Sequence, residues 1–263
     1  MAKPNFSELL LSIGYDHTGK NFVLDKGMPH FIYEAYIESL HDYIQVVKLG
    51  WTTWSLFQDA ELRKKLLVAE RHNIPVCLGG TLFEISYRQG NYPDLLKFLS
   101  DMNIRTIEIA SGFSVEVAEL PDAIALAKKE GLSVMVEVGY KDQERDQALS
   151  IDDRVAHVRS AKNSGADFVI LEAREVGKGY SVFNKDEAAN TALLQSILQV
   201  MPLEQIVFEA PTRDNQIDLV NTLGPNINMG NLPFEEVPRV ETIRRGLHAD
   251  TYESIQKLKL GGK

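Results

Sequence analysis

Eight short apolar runs in this chain each lead to a residue able to do polar chemistry. FVLD leads to Asp25 and Lys26, IQVV to Lys48, PVCLGG to Thr81 and Glu84, and TIEI carries Glu108. VMVEV carries Glu137 with Lys141 four residues on, FVILEAR carries Glu172 and Arg174, IVFEAP carries Glu209, and INMGN carries Asn228, Gly230 and Asn231. Carboxylates gathered from several strand ends are the hard oxygen donors that Mg²⁺ takes. Basic side chains beside them hold anions, and a lysine at such a mouth also has the means to protonate a carbanion. Glu172 to Gly179 adds two glycines around Lys178, which let backbone N–H groups approach an oxyanion. Arg213, Gly230 and Asn231 follow the last two runs, where barrel enzymes often hold phosphate.

Something must bring these residues to one rim. Each run is four to seven residues of Val, Ile, Leu, Phe and Met, too short for a helix and too continuous for a sheet with one wet face, so each reads as a parallel strand buried on both sides. Starts near residues 21, 44, 75, 105, 133, 167, 206 and 226 leave room for one crossover helix each time. That spacing predicts a TIM (β/α)₈ barrel, with 1–263 forming a single domain behind an N-terminal extension of about 1–20. The connecting segments agree. DAELRKKLLVAERHN sets Leu62, Leu66, Leu67 and Ala69 at helical spacing, PDAIALAKKEG has Pro121 near its start and Gly131 at its end, and Ser150 with Asp153 forms a capping pair before a helix stopped by Gly165. A doubly wound open sheet shares the alternation, but eight similar units without GxGxxG after the first strand favour closure.

Composition removes several classes of function. Hydrophobic residues at 44% and charged residues at 25% are ordinary globular values. A net charge of −9 argues against a nucleic-acid partner, which demands a basic face. No stretch approaches the apolar length of a membrane span, and the start lacks a secretory core. A cytoplasmic protein with no membrane partner is expected. The lone Cys77 sits inside the third run and reads as a small buried hydrophobe in a reducing compartment. Six histidines form neither a His-x-His pair nor HExxH, which disfavours zinc-hydrolase chemistry. Lys26, Lys48, Lys141, Arg174, Lys178 and Arg213 predict a basic mouth on an acidic body, and Trp51 and Trp54 read as either pocket wall or rim packing.

The motifs also carry a family likeness. LDKG at 24–27, DYIQVVKLGW at 42–51, GGTLFE at 79–84, IEI at 107–109, EVG at 137–139, EARE and GKG within 172–179, FEAP at 208–211 and ETIRRGLHADT at 241–251 resemble, in order and over nearly the whole chain, the phosphosulfolactate synthase family of coenzyme M biosynthesis. The resemblance implies a carbon–sulfur lyase on a TIM barrel that joins sulfite to phosphoenolpyruvate with Mg²⁺, giving (R)-2-phospho-3-sulfolactate. It further implies Lys141 as the acid, Lys48 and Arg174 as cations that stabilise the carbanion, and Glu137, Glu172 and Glu209 as metal ligands. Lys26, Lys178, Arg213, Gly230 and Asn231 are then left to hold the substrate. A lowering of the Lys141 pKa by neighbouring cations is expected on this reading, and a homo-oligomer is expected from the family.

Departures from the family pattern gather at strand exits. Thr52 and Trp54 replace its glycine and serine, Ala110 and Ser111 its Ser-Asp, Tyr140 a lysine and Val176 a serine, and Thr212 to Gln216 replace a glutamine-rich loop. A cluster at the mouth points to a changed substrate or a lost activity. Two alternatives therefore stand beside the family reaction. One is a sibling enzyme that adds another nucleophile to a phosphorylated enol acid. The other is a non-catalytic protein like the heat-stress-associated plant homologues.

Overall fold

Side chains alternate between the two faces of a strand, so in a closed barrel one parity points to the interior and the other to the surrounding helices. The computed structural model, which describes residues 13–173, 182–183 and 189–261, has the eight runs as parallel strands. They are β1 (Asn21–Asp25), β2 (Ile44–Leu49), β3 (Val76–Leu78), β4 (Thr106–Ala110), β5 (Ser133–Val138), β6 (Phe168–Leu171), β7 (Ile206–Glu209) and β8 (Asn228–Leu232). They pair in sequence order and β8 closes on β1, giving a TIM (β/α)₈ barrel.

One parity, Val23, Val47, Leu78, Ile107, Val134, Val169 and Phe208 among others, packs under the helices. The other fills the interior with Phe22, Val46, Cys77, Met135, Ile170 and Val207, closed from below by Phe168. Two residues further along the same parity come Leu24, Lys48, Glu137, Glu172 and Glu209. The apolar layer is thus a floor, and the charged layer stands on it at the C-terminal ends, where barrel chemistry belongs. Cys77 is fully buried in that floor, and burial pushes its thiol pKa well up, as suits an inert packing residue.

Helices wrap the barrel as the patterns require. They include α1 (His30–Leu40), α2 (Asp59–Arg71), α3 (Gly80–Arg88), α4 (Tyr92–Asp101), α5 (Leu120–Lys129), α6 (Gln143–Ala148), α7 (Ile151–Asn163), α8 (Thr191–Leu198), α9 (Arg213–Leu223), α10 (Val237–Arg244) and α11 (Ala249–Lys259). Pro121 lies in the first turn of α5 and Gly131 follows its end with φ +76°, a left-handed turn. Ser150 and Asp153 cap α7 reciprocally. The face of α2 differs from the expectation. Leu67 is 58% exposed whereas Lys65 is 2% exposed, because Asp25 at the end of β1 draws the Lys65 ammonium into an ion pair. The other Asp25 oxygen accepts from the Gly27 and Met28 N–H groups, so this pair ties α2 to the first strand exit.

The opposite end is sealed by α10. Arg244, fully buried, donates to Asn21 Oδ1 and to the carbonyls of Lys20 and Ile227. Glu241 accepts from Asn21 and meets His17 and Arg244. Burial alone would raise the Glu241 pKa, but His17, Arg244 and Asn21 together hold it down at about 2. The ETIRRG stretch is therefore a structural plug of the barrel bottom, the face of a barrel that serves stability. Among the described residues no helix is long and apolar enough to cross a membrane.

Candidate active site

A cavity of about 730 Å³ opens at the C-terminal ends of the strands. Its floor is built by strand parity, which aims Lys48, Glu108, Glu137 and Glu209 inward beside Glu172, just past β6. Lys48 Nζ lies 2.9 Å from Glu108 Oε2 and 3.9 Å from Glu209 Oε1. The second Glu108 oxygen accepts the Gly80 N–H at 2.7 Å. Burial would lower the Lys48 pKa, but Glu108, Glu209 and Glu137 outweigh it and drive it up. Lys48 is a fixed cation.

Glu137, Glu172 and Glu209 form a second group. Each offers a carboxylate oxygen within 4.8 Å of the others, and all three are buried. Glu137 Oε1 has no hydrogen-bond partner. Burial and then the charge of Glu172 push the Glu137 pKa well above the carboxylate range. Burial likewise raises that of Glu209, although Lys48 and a hydrogen bond with Glu172 oppose it. Glu209 is held in place by the Ala173 N–H at 3.1 Å on Oε2 and by the Asn231 amide on Oε1. Three buried carboxylates that repel one another, with an orphaned oxygen among them, have the donor chemistry of a hard divalent cation.

Lys141 overlooks this cluster. Its Nζ donates to Thr81 Oγ1 at 2.8 Å and stands 3.9 Å from Glu137 Oε1. Burial lowers its pKa, but Glu137, Glu108, Glu172 and Glu84 more than reverse that. The expected lowering by cations is thus corrected: the neighbours are carboxylates, and they hold the proton on.

Comparison with known proteins decides the family. Residues 16–250 match the (2R)-phospho-3-sulfolactate synthase (ComA) family. The chain belongs to that family. A phosphosulfolactate synthase of Methanocaldococcus jannaschii is 35% identical over 238 residues, covering 90% of this chain and 95% of that one. The enzyme of the same name from Methanothermobacter thermautotrophicus is 34% identical, covering 90% and 92%. Among solved structures, 3-hexulose-6-phosphate synthase from Salmonella typhimurium superposes with a TM-score of 0.52 at 14% identity, covering 93% of this chain and all of that one. Likeness at that identity carries the barrel fold alone.

The geometry distributes unevenly the residues that the family resemblance led one to expect at the site. Lys26 lines the cavity, with its ammonium 4.9 Å from the centre of the Trp51 ring. Asn231 lines it too. Gly230 sits lower, beside a small void over the apolar floor, where a Cβ would come within 2.8 Å of Val207 Cγ1; close strand packing explains that glycine. Arg213 opens α9 with its side chain 53% exposed and paired with Asp214, away from the cavity wall. Arg174 and Lys178 lie outside the described residues. Among the described residues, Lys26, Lys48 and Lys141 face four wall glutamates, Glu108, Glu137, Glu172 and Glu209.

Three of the family departures, Trp54, Ser111 and Tyr140, fall behind the wall. Trp54 stacks on Phe98 of α4 with ring centres 5.6 Å apart, which is rim packing. Ser111 is buried, and Tyr140 lies under the Arg145 guanidinium at 4.3 Å. None of the three is among the described residues that line the cavity. Sequence reading named Thr81 and Glu84 only as exit residues and gave them no role. Their spacing of three on a glycine-led helix start was the available signal.

Proposed function

We propose that this enzyme adds sulfite to phosphoenolpyruvate to give (R)-2-phospho-3-sulfolactate, with Mg²⁺ held by Glu137, Glu172 and Glu209. The observation that carries this reading is the buried trio of carboxylates, one oxygen of it without a hydrogen bond, facing Lys48 and Lys141 across one cavity in a member of this family. The trio fits the ion, because small hard cations take carboxylate oxygen and relieve its mutual repulsion. Bound there, Mg²⁺ would supply positive charge to the developing carboxylate dianion and offset the field that raises the Lys141 pKa.

The chain's own residues account for the rest. The sulfite sulfur shares its lone pair with the methylene carbon, forming the C–S bond, and the π electrons of the alkene move toward the phosphate-bearing carbon and its carboxylate. Lys48, charged at every working pH, stabilises that negative charge from within the floor. Lys141 Nζ gives its proton to the phosphate-bearing carbon, and the neutral amine is reprotonated from solvent. The phosphate ester stays intact, and Lys26 at the open side meets it. The reverse sense breaks a carbon–sulfur bond, hence a carbon–sulfur lyase. The positions of Trp54, Ser111 and Tyr140 behind the wall support the family reaction over a sibling with another nucleophile.

Mass spectrometry of reactions run with one substrate or metal omitted tests the assignment. Sulfolactate phosphate formed only when phosphoenolpyruvate, sulfite and Mg²⁺ are all present is expected. An adduct of another nucleophile, in a folded protein that ignores sulfite, would overturn it.

A further inference from the structure

The ammonium read above as the acid is held from two sides by one helix. α3 starts directly at the exit of β3, and its N-terminal half carries Thr81 and Glu84 three residues apart, on neighbouring positions of one face. Thr81 lines the cavity and its Oγ1 accepts from Lys141 Nζ at 2.8 Å. Glu84 is fully buried, and its carboxylate takes the backbone N–H groups of four successive residues after β4. Oε1 accepts from Gly112 at 3.0 Å, and Oε2 accepts from Phe113 at 3.0 Å, Ser114 at 2.7 Å and Val115 at 3.1 Å.

That clamped loop lies along the Lys141 stem. The Gly112 carbonyl accepts the Lys141 backbone N–H at 2.9 Å. A Cβ added at Gly112 would come within 3.0 to 3.2 Å of Lys141 Cε, Cγ and Cδ, so any larger residue would press the stem aside by a few tenths of an ångström. The Phe113 ring centre is 5.5 Å from Nζ. A lysine stem is otherwise flexible at four bonds. Here the head is fixed by Thr81 and the stem by the loop that Glu84 holds.

We propose that Thr81 and Glu84 are positioning residues that aim the Lys141 ammonium at one face of the bound enol acid, and so set which enantiomer forms. The proposal rests on reading Lys141 as the acid. A stem released from either restraint delivers its proton less often and leaves solvent to protonate the other face. Rate and stereochemistry then fall together, which a merely structural role would not cause.

The test uses the full chain with Mg²⁺, phosphoenolpyruvate and sulfite, scoring kcat, KM and the (2R) fraction of product. Thr81→Val keeps the shape and removes the acceptor, and Thr81→Ser restores it. Glu84→Gln sets an amide nitrogen, which accepts nothing, against part of the loop. Thr81→Val and Glu84→Gln are expected to lower kcat about ten- to a hundredfold, as misplacement of a reacting group does. KM should stay within about threefold, since neither change removes a group that only binds substrate. The (2R) fraction should fall, and Thr81→Ser should recover both rate and (2R) fraction. Wild-type rate and enantiomeric purity in folded Thr81→Val, or no recovery in Thr81→Ser, would overturn the proposal even if Glu84→Gln fails to fold. Lys141→Ala separates the two layers of the argument. Full turnover in Lys141→Ala removes the acid and this proposal together, whereas a dead Lys141→Ala beside an unimpaired, stereospecific Thr81→Val leaves the acid standing and removes the positioning.

Discussion

Glu137 carries the sharpest conflict in the molecule, a buried carboxylate oxygen with no hydrogen-bond partner beside two more carboxylates. Without a cation such a cluster works against the fold, and with one it becomes a site. Two outcomes follow for Glu137→Gln, which keeps the volume and removes one charge. In metal-free buffer its melting temperature rises above wild type, by about 2–4 °C for each kcal/mol of repulsion relieved. The Mg²⁺-induced rise seen in wild type shrinks or disappears. Differential scanning calorimetry with and without Mg²⁺ checks both, and a metal-free Glu137→Gln that melts below wild type would show that the cluster is not strained as described. Lys48 contrasts with it, since its nearest carboxylate, Glu108, is already satisfied by the Gly80 N–H and the lysine itself. That contrast separates a satisfied ion pair from the carboxylate trio proposed to take the ion.

The strands and helices hold those residues through two locks at opposite ends of the barrel. At the top, Lys65 of α2 pairs with Asp25, and removing one partner of a buried pair leaves the other charge uncompensated. Lys65→Met should therefore cost about 3–5 kcal/mol in urea unfolding, and a loss under 1 kcal/mol would mean that the pair is dispensable. At the bottom, Glu241 of α10 has its pKa held down at about 2 against the usual 4.5. A depressed carboxylate pKa contributes stability that is complete above about pH 5 and is lost as pH falls toward 2. The difference corresponds to about 3 kcal/mol, so Glu241→Gln should be less stable at pH 7 and show a flatter acid limb. Equal acid sensitivity in the two proteins would remove Glu241 from the linkage. At this scale the sequence was highly legible. All eight strand starts fall within two residues of expectation, because continuous apolar runs bounded by polar exits have one parallel-strand reading. The buried face of α2 was not legible, since a lysine enters a core only where a distant carboxylate waits for it.

Across the whole molecule, the closing register decides which strand-end carboxylates share a height. Glu108 pairs in register with Met135, while Glu137 pairs with Ala110, so Glu108 sits lower and is neutralised there. Four equivalent-looking glutamates in the sequence thus become Glu108, held by Lys48 and the Gly80 N–H, and a trio whose carboxylate oxygens lie within 4.8 Å of one another, a distinction that shear creates and local pattern does not contain. The same geometry explains why Lys141 meets carboxylates rather than the cations expected of its neighbourhood. Arg213, placed near the mouth by spacing alone, is exposed at the start of α9 and does not line the cavity. The most direct test of the central claim is a ³¹P NMR time course of wild type and Glu137→Gln with phosphoenolpyruvate and sulfite, each with and without Mg²⁺. A new phosphate-ester resonance in wild type that requires sulfite and Mg²⁺ and is lost in Glu137→Gln is the predicted result. The same resonance at the wild-type rate in Glu137→Gln, or its absence from folded wild type supplied with both substrates and metal, would contradict the account.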